Sequence, residues 1–304
     1  MKRSQSRKVL DQVLRSFAQH IASVQFEAYM SSSGFADAHK EFRATLNNRP
    51  AHQANKRARY REVWTAVPIL DLRQADICNV AIGAHGARDE DLIEELVIRY
   101  NHQLQWLLAT AYEAYEAFFK DLYGALGYLD RNLWRCSDFG AVPIPDIAGK
   151  DVPWFQAQAR QSIARHNIRE VLSVVREKLP AFADKERNNA LGYDLVFWIG
   201  GIETFRHIVV HSQGQIEKTA LWTAIQKKTG HSMQGNKKAG IRAFLSTSGN
   251  QYAIWLVSRG QLHGPYHQID QKLQELLKIL GSHAALAYST ALVHFGKQPL
   301  WEGP

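Results

Sequence analysis

Cysteine is scarce in this chain. Only Cys78 and Cys136 occur among 304 residues, and they are not spaced as C-x-x-C. We therefore expect neither a disulfide framework nor a cysteine zinc site, and a reducing, cytoplasmic compartment fits best. Hydrophobic residues make up 45% of the chain, which is enough to bury a large core without a metal or a disulfide.

Long apolar runs are also lacking. The stretch 1–17, MKRSQSRKVLDQVLRSF, begins with basic residues, but Asp11, Gln12 and Arg15 interrupt any apolar segment. It is therefore not expected to be a secretory signal. No uninterrupted apolar run approaches the ~20 residues that a membrane helix needs, so no membrane partner is expected.

Acidic residues are outnumbered by basic ones. The chain has 37 Lys and Arg against 29 Asp and Glu, a formal net charge of +8. This balance favours a polyanionic partner such as RNA, although charge alone does not identify it.

Apolar residues recur at steps of three and four along most of the chain, the period of an amphipathic helix. The pattern predicts helices over 9–30, 91–126, 155–179, 191–211 and 269–295. A break at SSSG, residues 31–34, is expected to be followed by two shorter basic helical stretches, the second over 51–64. The longest predicted helix carries one continuous apolar stripe, formed by Leu104, Leu108, Ala111, Tyr115, Phe118, Leu122 and Leu126.

Three segments break the helical pattern. Residues 137–153 hold three prolines and two glycines and are expected to be a loop. Residues 228–240 read as a basic loop, and two β-rich runs around a Ser/Gly/Asn turn predict a hairpin within 240–260. The expected fold class is all-α: an antiparallel helical bundle, with a helical extension over 1–88 and a domain over 89–304 that contains the hairpin as an insertion.

Four ionisable residues stand close together in ETFRHIVVHSQG, residues 203–214. They interrupt a helix whose apolar positions Leu191, Leu195, Trp198, Ile202, Phe205 and Val209 form one stripe. At about 100° per residue, Glu203, His207 and His211 share the face away from that stripe, and Arg206 projects between the two. The Gly200-Gly201 pair within this helix permits a kink or a close helix crossing.

Arginine and histidine in this arrangement suit phosphate chemistry. A guanidinium offers a planar, permanently charged fork for phosphate oxygens, and an imidazole titrates near neutral pH. RNA carries its own nucleophile in the 2′-OH, so an enzyme has only to orient that hydroxyl, move a proton and stabilise the crowded phosphate. Such a site would need no metal and no cofactor.

The motif RHIVVHSQG resembles the signature of the HEPN ribonucleases, in which four to six residues separate an Arg from a His. The upstream segment ATAYEAYEAFFKDLYGAL, residues 109–126, is similar to the aromatic-rich first helix of that superfamily. The resemblance covers roughly residues 91–295 and leaves the first ninety or so unexplained.

The resemblance implies a helical domain that forms a homodimer, with the two Arg/His motifs meeting in a cleft that cuts RNA. It assigns general acid/base catalysis to His211, phosphate binding to Arg206 and an assisting role to His207, where the family more often has Asn or Asp. Glu203 would orient His207 or pair with it at the surface. Such proteins act as toxins, in antiviral defence or in RNA processing, so a cognate antitoxin or regulatory protein is a further expected partner.

Other interpretations of the same residues remain open. A non-catalytic HEPN-like module would use the fold only to bind RNA or a partner protein. Glu203, His207 and His211 could instead hold a metal ion along one helix face, although no H-E-x-x-H motif is present. The basic residues Lys237, Lys238 and Arg242 are candidates for clamping an RNA backbone, or for an ordinary solvated loop.

Overall fold

The computed structural model describes residues 3–47, 61–71, 76–87, 89–163, 168–190, 192–232, 234–258 and 271–298. Its helices are α1 Arg3–Asn47, α2 Asp89–Leu129, α3 Ile144–Ile147, α4 Val152–Ile163, α5 Ile168–Lys178, α6 Pro180–Lys185, α7 Leu195–Ser212, α8 Lys218–Thr229, α9 Gly235–Arg242 and α10 Gln271–His294. Its strands are β1 Arg61–Asp71, β2 Asp76–Ala87, β3 Gln215–Glu217, β4 Leu245–Ser248 and β5 Gln251–Ile254. Two 3₁₀ turns, Arg131–Leu133 and Cys136–Phe139, follow α2.

The protein is predominantly helical, and the main helices lie where the apolar period predicts them. The stripe of α2 is buried along its whole length, from Leu104 to Leu126. It packs in one core with buried residues of α1, α7 and α10. A central helix covered on several sides explains why α2 is so rich in Leu, Tyr and Phe.

Helix α1 continues through residues 31–34, so the predicted break at SSSG is wrong. On either side of that segment, Ala28 and Phe35 are both buried, and Phe35 stacks on Tyr100 of α2 with 4.4 Å between ring centroids. Phe17 contacts Phe118 at 5.2 Å, so α1 and α2 run antiparallel. Packing on both sides of the weak helix formers outweighs their low propensity.

The helical extension predicted over 1–88 is only partly helical. Residues 51–60 of the predicted basic helix lie outside the described residues, and Arg61–Trp64 belong to strand β1 instead. Strands β1 and β2 pair antiparallel from Arg61↔Ala87 to Asp71↔Asp76, with an irregularity between Thr65 and Ala66. Helix α1 packs into the common core. The division of the chain into two domains at residue 88 stays a prediction.

The predicted helix 155–179 corresponds to α4 and α5, and residues 164–167 between them lie outside the described residues. The expected basic loop 228–240 is largely helical, so that prediction is wrong. Helix α8 ends at Gly230, which takes the left-handed conformation at φ +69°, and α9 follows from Gly235. The glycines of this segment therefore end one helix and begin the next.

The predicted hairpin is confirmed as β4 and β5, and β3 joins it to give the order β3–β5–β4. This sheet is fixed to α2 by two buried amides. Asn101 Nδ2 and Gln105 Nε2 both donate to the Ile254 carbonyl, at 3.0 and 2.7 Å. The Ile254 N–H in turn donates to the Gly214 carbonyl, which anchors the end of α7 beside α2.

A polar network lies inside the bundle between α2, α5, α10 and the end of α6. The Glu186 carboxylate, which is fully buried, accepts two hydrogen bonds from Arg176, at 2.6 and 2.7 Å. It is also 2.7 Å from Nε2 of His283, whose Nδ1 is 2.7 Å from the Tyr115 hydroxyl. Burial lowers the pKa of His283, so the neutral ring links the Tyr115 hydroxyl to the carboxylate.

Helix α10 is long and apolar enough to cross a membrane by composition, with a mean hydropathy of 1.3 over its most apolar window. Within the bundle, however, 67% of that window is buried. The position of α10 in the core therefore explains its apolar surface. The cytoplasmic location stays a prediction.

Candidate functional site

Helix α7 carries the predicted motif, and its ends are well defined. Asp194 caps the helix by accepting a 3.0 Å hydrogen bond from the Phe197 N–H, and Gln213 ends it in the left-handed conformation at φ 52°. The buried positions include Leu195, Ile202, Phe205 and Val209 of the predicted stripe. Trp198 is half-buried, and Leu191 lies outside the described residues.

Gly200 allows α7 and α8 to cross closely, as the glycine pair predicted. A Cβ at this position would lie 2.5 Å from the Thr229 methyl group of α8. This crossing brings Lys228 to the polar face of α7, where its ammonium lies 2.9 Å from the Glu203 carboxylate.

The imidazoles of His207 and His211 lie side by side on the exposed face of α7. Their ring centroids are 4.6 Å apart, and both residues are exposed. Desolvation lowers the pKa of His207, and the positive charges of His211, Lys228 and Arg206 lower it further. The neutral form of His207, which can accept a proton, is therefore favoured near pH 7.

Arg206 reaches across to α2 but makes only one weak contact there. Its Nη2 lies 3.4 Å from the carboxylate of Glu113, which is 61% exposed. Its Nε atom is buried and has no hydrogen-bond partner among the described residues. A guanidinium has five N–H donors, so the single contact with Glu113 leaves most donors of Arg206 available to an anion.

Glu203 is held by two cations rather than by a histidine. Arg169 of α5 donates two hydrogen bonds to its carboxylate, at 2.9 and 3.2 Å, and Lys228 approaches to 2.9 Å. The expected pairing with His207 is not the contact that the described residues make. Glu203 instead neutralises two basic side chains at the base of the site, which places it in a supporting position.

Helix α2 contributes Glu116 to the surroundings of the site, together with Tyr112 and Glu113, which the sequence did not single out. Glu116 is partly buried, and desolvation raises its pKa although Lys120 and Arg206 act in the opposite direction. Tyr112 is buried next to Glu113, and burial raises the pKa of its hydroxyl well above the ordinary range. The repeated Tyr-Glu pairs of YEAYE were a signal, but only the packing of α2 against α7 brings Glu113 to Arg206, whereas Tyr115 pairs with His283.

The predicted RNA-binding residues lie elsewhere. Lys237 donates a 2.7 Å hydrogen bond to the capping residue Asp194 and sits 5.2 Å above the Phe197 ring, while Lys238 sits 5.3 Å above Trp222. Arg242 is exposed on α9. Asp194 and His211 are 17 positions apart, about 25 Å along a helix, so Lys237 lies at the opposite end of α7 from His211.

The metal-site interpretation finds little support in this geometry. The described part of the chain contains no group of three or more His, Cys, Asp and Glu side chains placed to hold a metal ion. Glu203, the only carboxylate of the proposed set, is engaged by Arg169 and Lys228. A ligand role for it would require both ion pairs to break.

Comparison of the chain with protein-family models, with curated proteins and with solved structures found no match. The assignment of a function therefore rests on the residues of α7 and their surroundings.

Proposed function

We propose that the protein is a metal-independent endoribonuclease of the HEPN type, with its site on the exposed face of α7. The observation that carries the proposal is the arrangement of three side chains. Two solvent-accessible imidazoles lie 4.6 Å apart, and among the described residues the adjacent Arg206 forms one salt bridge, at 3.4 Å to Glu113. Two imidazoles and an incompletely paired guanidinium supply the proton-transfer and anion-binding groups that this chemistry needs.

The chemistry that suits these groups is transfer of the phosphate to the RNA's own 2′-oxygen. One imidazole accepts the 2′-OH proton as that oxygen bonds to phosphorus, and the bond to the 5′-oxygen breaks. The leaving oxygen takes a proton, which gives a 2′,3′-cyclic phosphate and a 5′-OH. Arg206 stabilises the extra negative charge on the phosphate, and His211 moves the proton with His207 beside it.

A second copy of the chain would complete this site. His207 and His211 face solvent on one protomer, so a single chain leaves the reacting phosphate open to water on one side. A two-fold pairing of the α7 faces would bring two Arg206/His211 sets to one cleft and exclude that water. A role as a toxin or in antiviral defence, controlled by a cognate inhibitor, follows from the same proposal.

The test is RNA cleavage by the purified protein in excess chelator. We expect the wild type to cut single-stranded RNA, and His211→Ala to lower the rate by about 10²- to 10⁴-fold without changing the unfolding temperature. His20→Ala, an exposed histidine of α1, is the matched control and should cut normally. Activity that disappears with chelator would favour a metal site, and RNA binding without cleavage would favour a non-catalytic module.

A further inference from the structure

Two buried polar atoms, on the helix that carries the motif and on its neighbour α2, have no partner in the part of the chain that the structure describes. One is the hydroxyl of Tyr112, whose residue is only 1% exposed, and the other is the Nε–H of Arg206. A buried donor or acceptor left unpaired costs about 1–3 kcal/mol, and such groups are rare in native structures. Two of them at one helix interface therefore call for a physical explanation.

Both atoms belong to the same charged cluster. Tyr112 precedes Glu113, the residue that Arg206 contacts across the α2–α7 interface. The charges of Glu203, Glu116, Arg169 and Arg206 act on the Tyr112 hydroxyl, so it lies within electrostatic range of this cluster.

The neighbouring carboxylates already have other partners. Glu203 is held by Arg169 and Lys228, and Glu113 lies against Nη2 of Arg206 and not Nε. Tyr112 stays protonated because burial raises its pKa, so it offers an O–H donor. The Arg206 Nε–H is a second donor. Two donors in a partly desolvated, cationic setting suit an anionic oxygen.

We propose that the Tyr112 hydroxyl and the Arg206 Nε–H form an oxyanion subsite that binds a non-bridging oxygen of a phosphodiester. The subsite rests on the proposed function for its natural substrate, but its chemistry requires only a phosphate group. Tyr112 is then a binding residue supplied by α2, and the aromatic segment of that helix serves the site as well as the core.

Tyr115 provides a matched control one helical turn away. It is fully buried on the same helix, but its hydroxyl is 2.7 Å from Nδ1 of His283. Removal of the Tyr115 hydroxyl breaks a hydrogen bond of the fold, whereas removal of the Tyr112 hydroxyl breaks none that the described residues make. Tyr112→Phe should therefore be at least as stable as the wild type, and Tyr115→Phe less stable.

The experiment is a titration with inorganic phosphate at constant ionic strength, followed by thermal unfolding. We expect phosphate to raise the unfolding temperature of the wild type and of Tyr115→Phe with the same half-saturating concentration. In Tyr112→Phe that concentration should rise about tenfold, the effect of one lost hydrogen bond to a charged group. In Arg206→Ala the saturable shift should disappear, which separates binding from the general salting-out effect of phosphate.

Three results would overturn the subsite: no saturable shift in the wild type, an unchanged half-saturation in Tyr112→Phe, or a loss of stability in Tyr112→Phe as large as that in Tyr115→Phe. Cleavage assays decide the proposed function separately. A wild type that binds phosphate through Tyr112 but never cuts RNA would refute the nuclease and leave the subsite standing. If it does cut RNA, Tyr112→Phe should lower kcat/KM about tenfold, and an unchanged kcat/KM would refute the substrate role.

Discussion

The molecule contains two clusters built from the same residue types but arranged in opposite ways. Around Glu186, the buried network pairs both carboxylate oxygens with Arg176 and His283, and His283 in turn with Tyr115. Around Arg206, the two histidines are exposed, and the guanidinium makes one 3.4 Å contact. Both clusters contain Arg, Glu, His and Tyr.

The difference lies in how completely the polar groups are satisfied. A buried network in which the carboxylate, the imidazole and the tyrosine hydroxyl are all paired fixes the packing of α2, α5 and α10. The cluster on α7 keeps unpaired donors and accessible imidazoles, which weakens the fold but leaves groups free to bind and react. Residue type alone would not separate the two clusters, whereas hydrogen-bond satisfaction does.

The largest expected effect on stability comes from breaking the buried network. Glu186→Gln keeps the side-chain shape but removes the negative charge of the carboxylate to which Arg176 and His283 are both hydrogen-bonded. It should therefore cost about 3–5 kcal/mol of unfolding free energy. Urea denaturation measures the loss. Glu95→Gln, which breaks an exposed pair with Arg99, should cost less than about 1 kcal/mol. Equal losses in the two variants would contradict a structural role for the network.

A smaller effect, on catalysis and not on stability, is expected when the planar guanidinium of Arg206 is replaced by another positively charged group. Arg206→Lys cannot bind two phosphate oxygens in a plane, so kcat/KM for RNA cleavage should fall about tenfold or more at unchanged stability. Arg99→Lys on the surface of α2 is the control. Wild-type kcat/KM in Arg206→Lys would show that the site needs only a positive charge.

The two clusters should also differ in how they respond to pH. Burial lowers the pKa of His283 and outweighs Glu186, which acts in the opposite direction, so the unfolded chain binds a proton more readily than the folded one. Stability contributed by the neutral ring is present above the unfolded pKa of about 6.5 and is lost as the pH falls below it.

Urea denaturation between pH 5 and 8 tests this, with the unfolding free energy expected to decrease towards pH 5. For Glu186, burial would raise the pKa, but the hydrogen bonds from Arg176 and His283 lower it below the ordinary value of 4.5. Its contribution is therefore retained until the pH falls below about 4.5. His283→Gln should flatten the profile between pH 5 and 7, and an unchanged slope in that variant would show that other groups cause it.

The smallest expected effect concerns Glu113. Its carboxylate is the partner that a substrate phosphate must displace from Arg206, so Glu113→Gln should lower KM for RNA two- to threefold at low salt. The gain should shrink at high ionic strength because the group is exposed. Glu177→Gln, another exposed carboxylate beside an arginine, should leave KM unchanged. A higher KM in Glu113→Gln would mean that Glu113 positions Arg206 instead of competing for it.

Much of the fold follows from local pattern. The apolar stripes of α2, α7 and α10 are continuous over many turns, and their buried faces lie where the period places them. The predictions that are wrong concern segments whose secondary structure depends on contacts with residues far away in the sequence. Phe35 stacks on Tyr100 and carries α1 through SSSG, while the segment that includes Arg61–Trp64 pairs with β2 in a ladder that its helical-looking composition did not reveal.

The candidate site could be predicted from the sequence to about the same extent as the fold. Helical geometry alone placed His207 and His211 on one polar face, because residues four apart share a side of a helix. The partners of Glu203 could not be foreseen, since Arg169 and Lys228 come from helices whose positions depend on the whole bundle. The same holds for Tyr112, whose aromatic ring looks like an ordinary core residue until its buried hydroxyl is seen to be unpaired among the described residues and within electrostatic range of Arg206.

The most direct test compares one histidine from each cluster in a single assay, the rate of RNA cleavage per folded molecule in excess chelator. We predict that His211→Gln lowers this rate by about 10²-fold or more at an unchanged unfolding temperature, while His283→Gln unfolds at a lower temperature but cuts RNA at the wild-type rate. Cleavage at the wild-type rate by His211→Gln, or loss of cleavage in folded His283→Gln alone, would contradict the account.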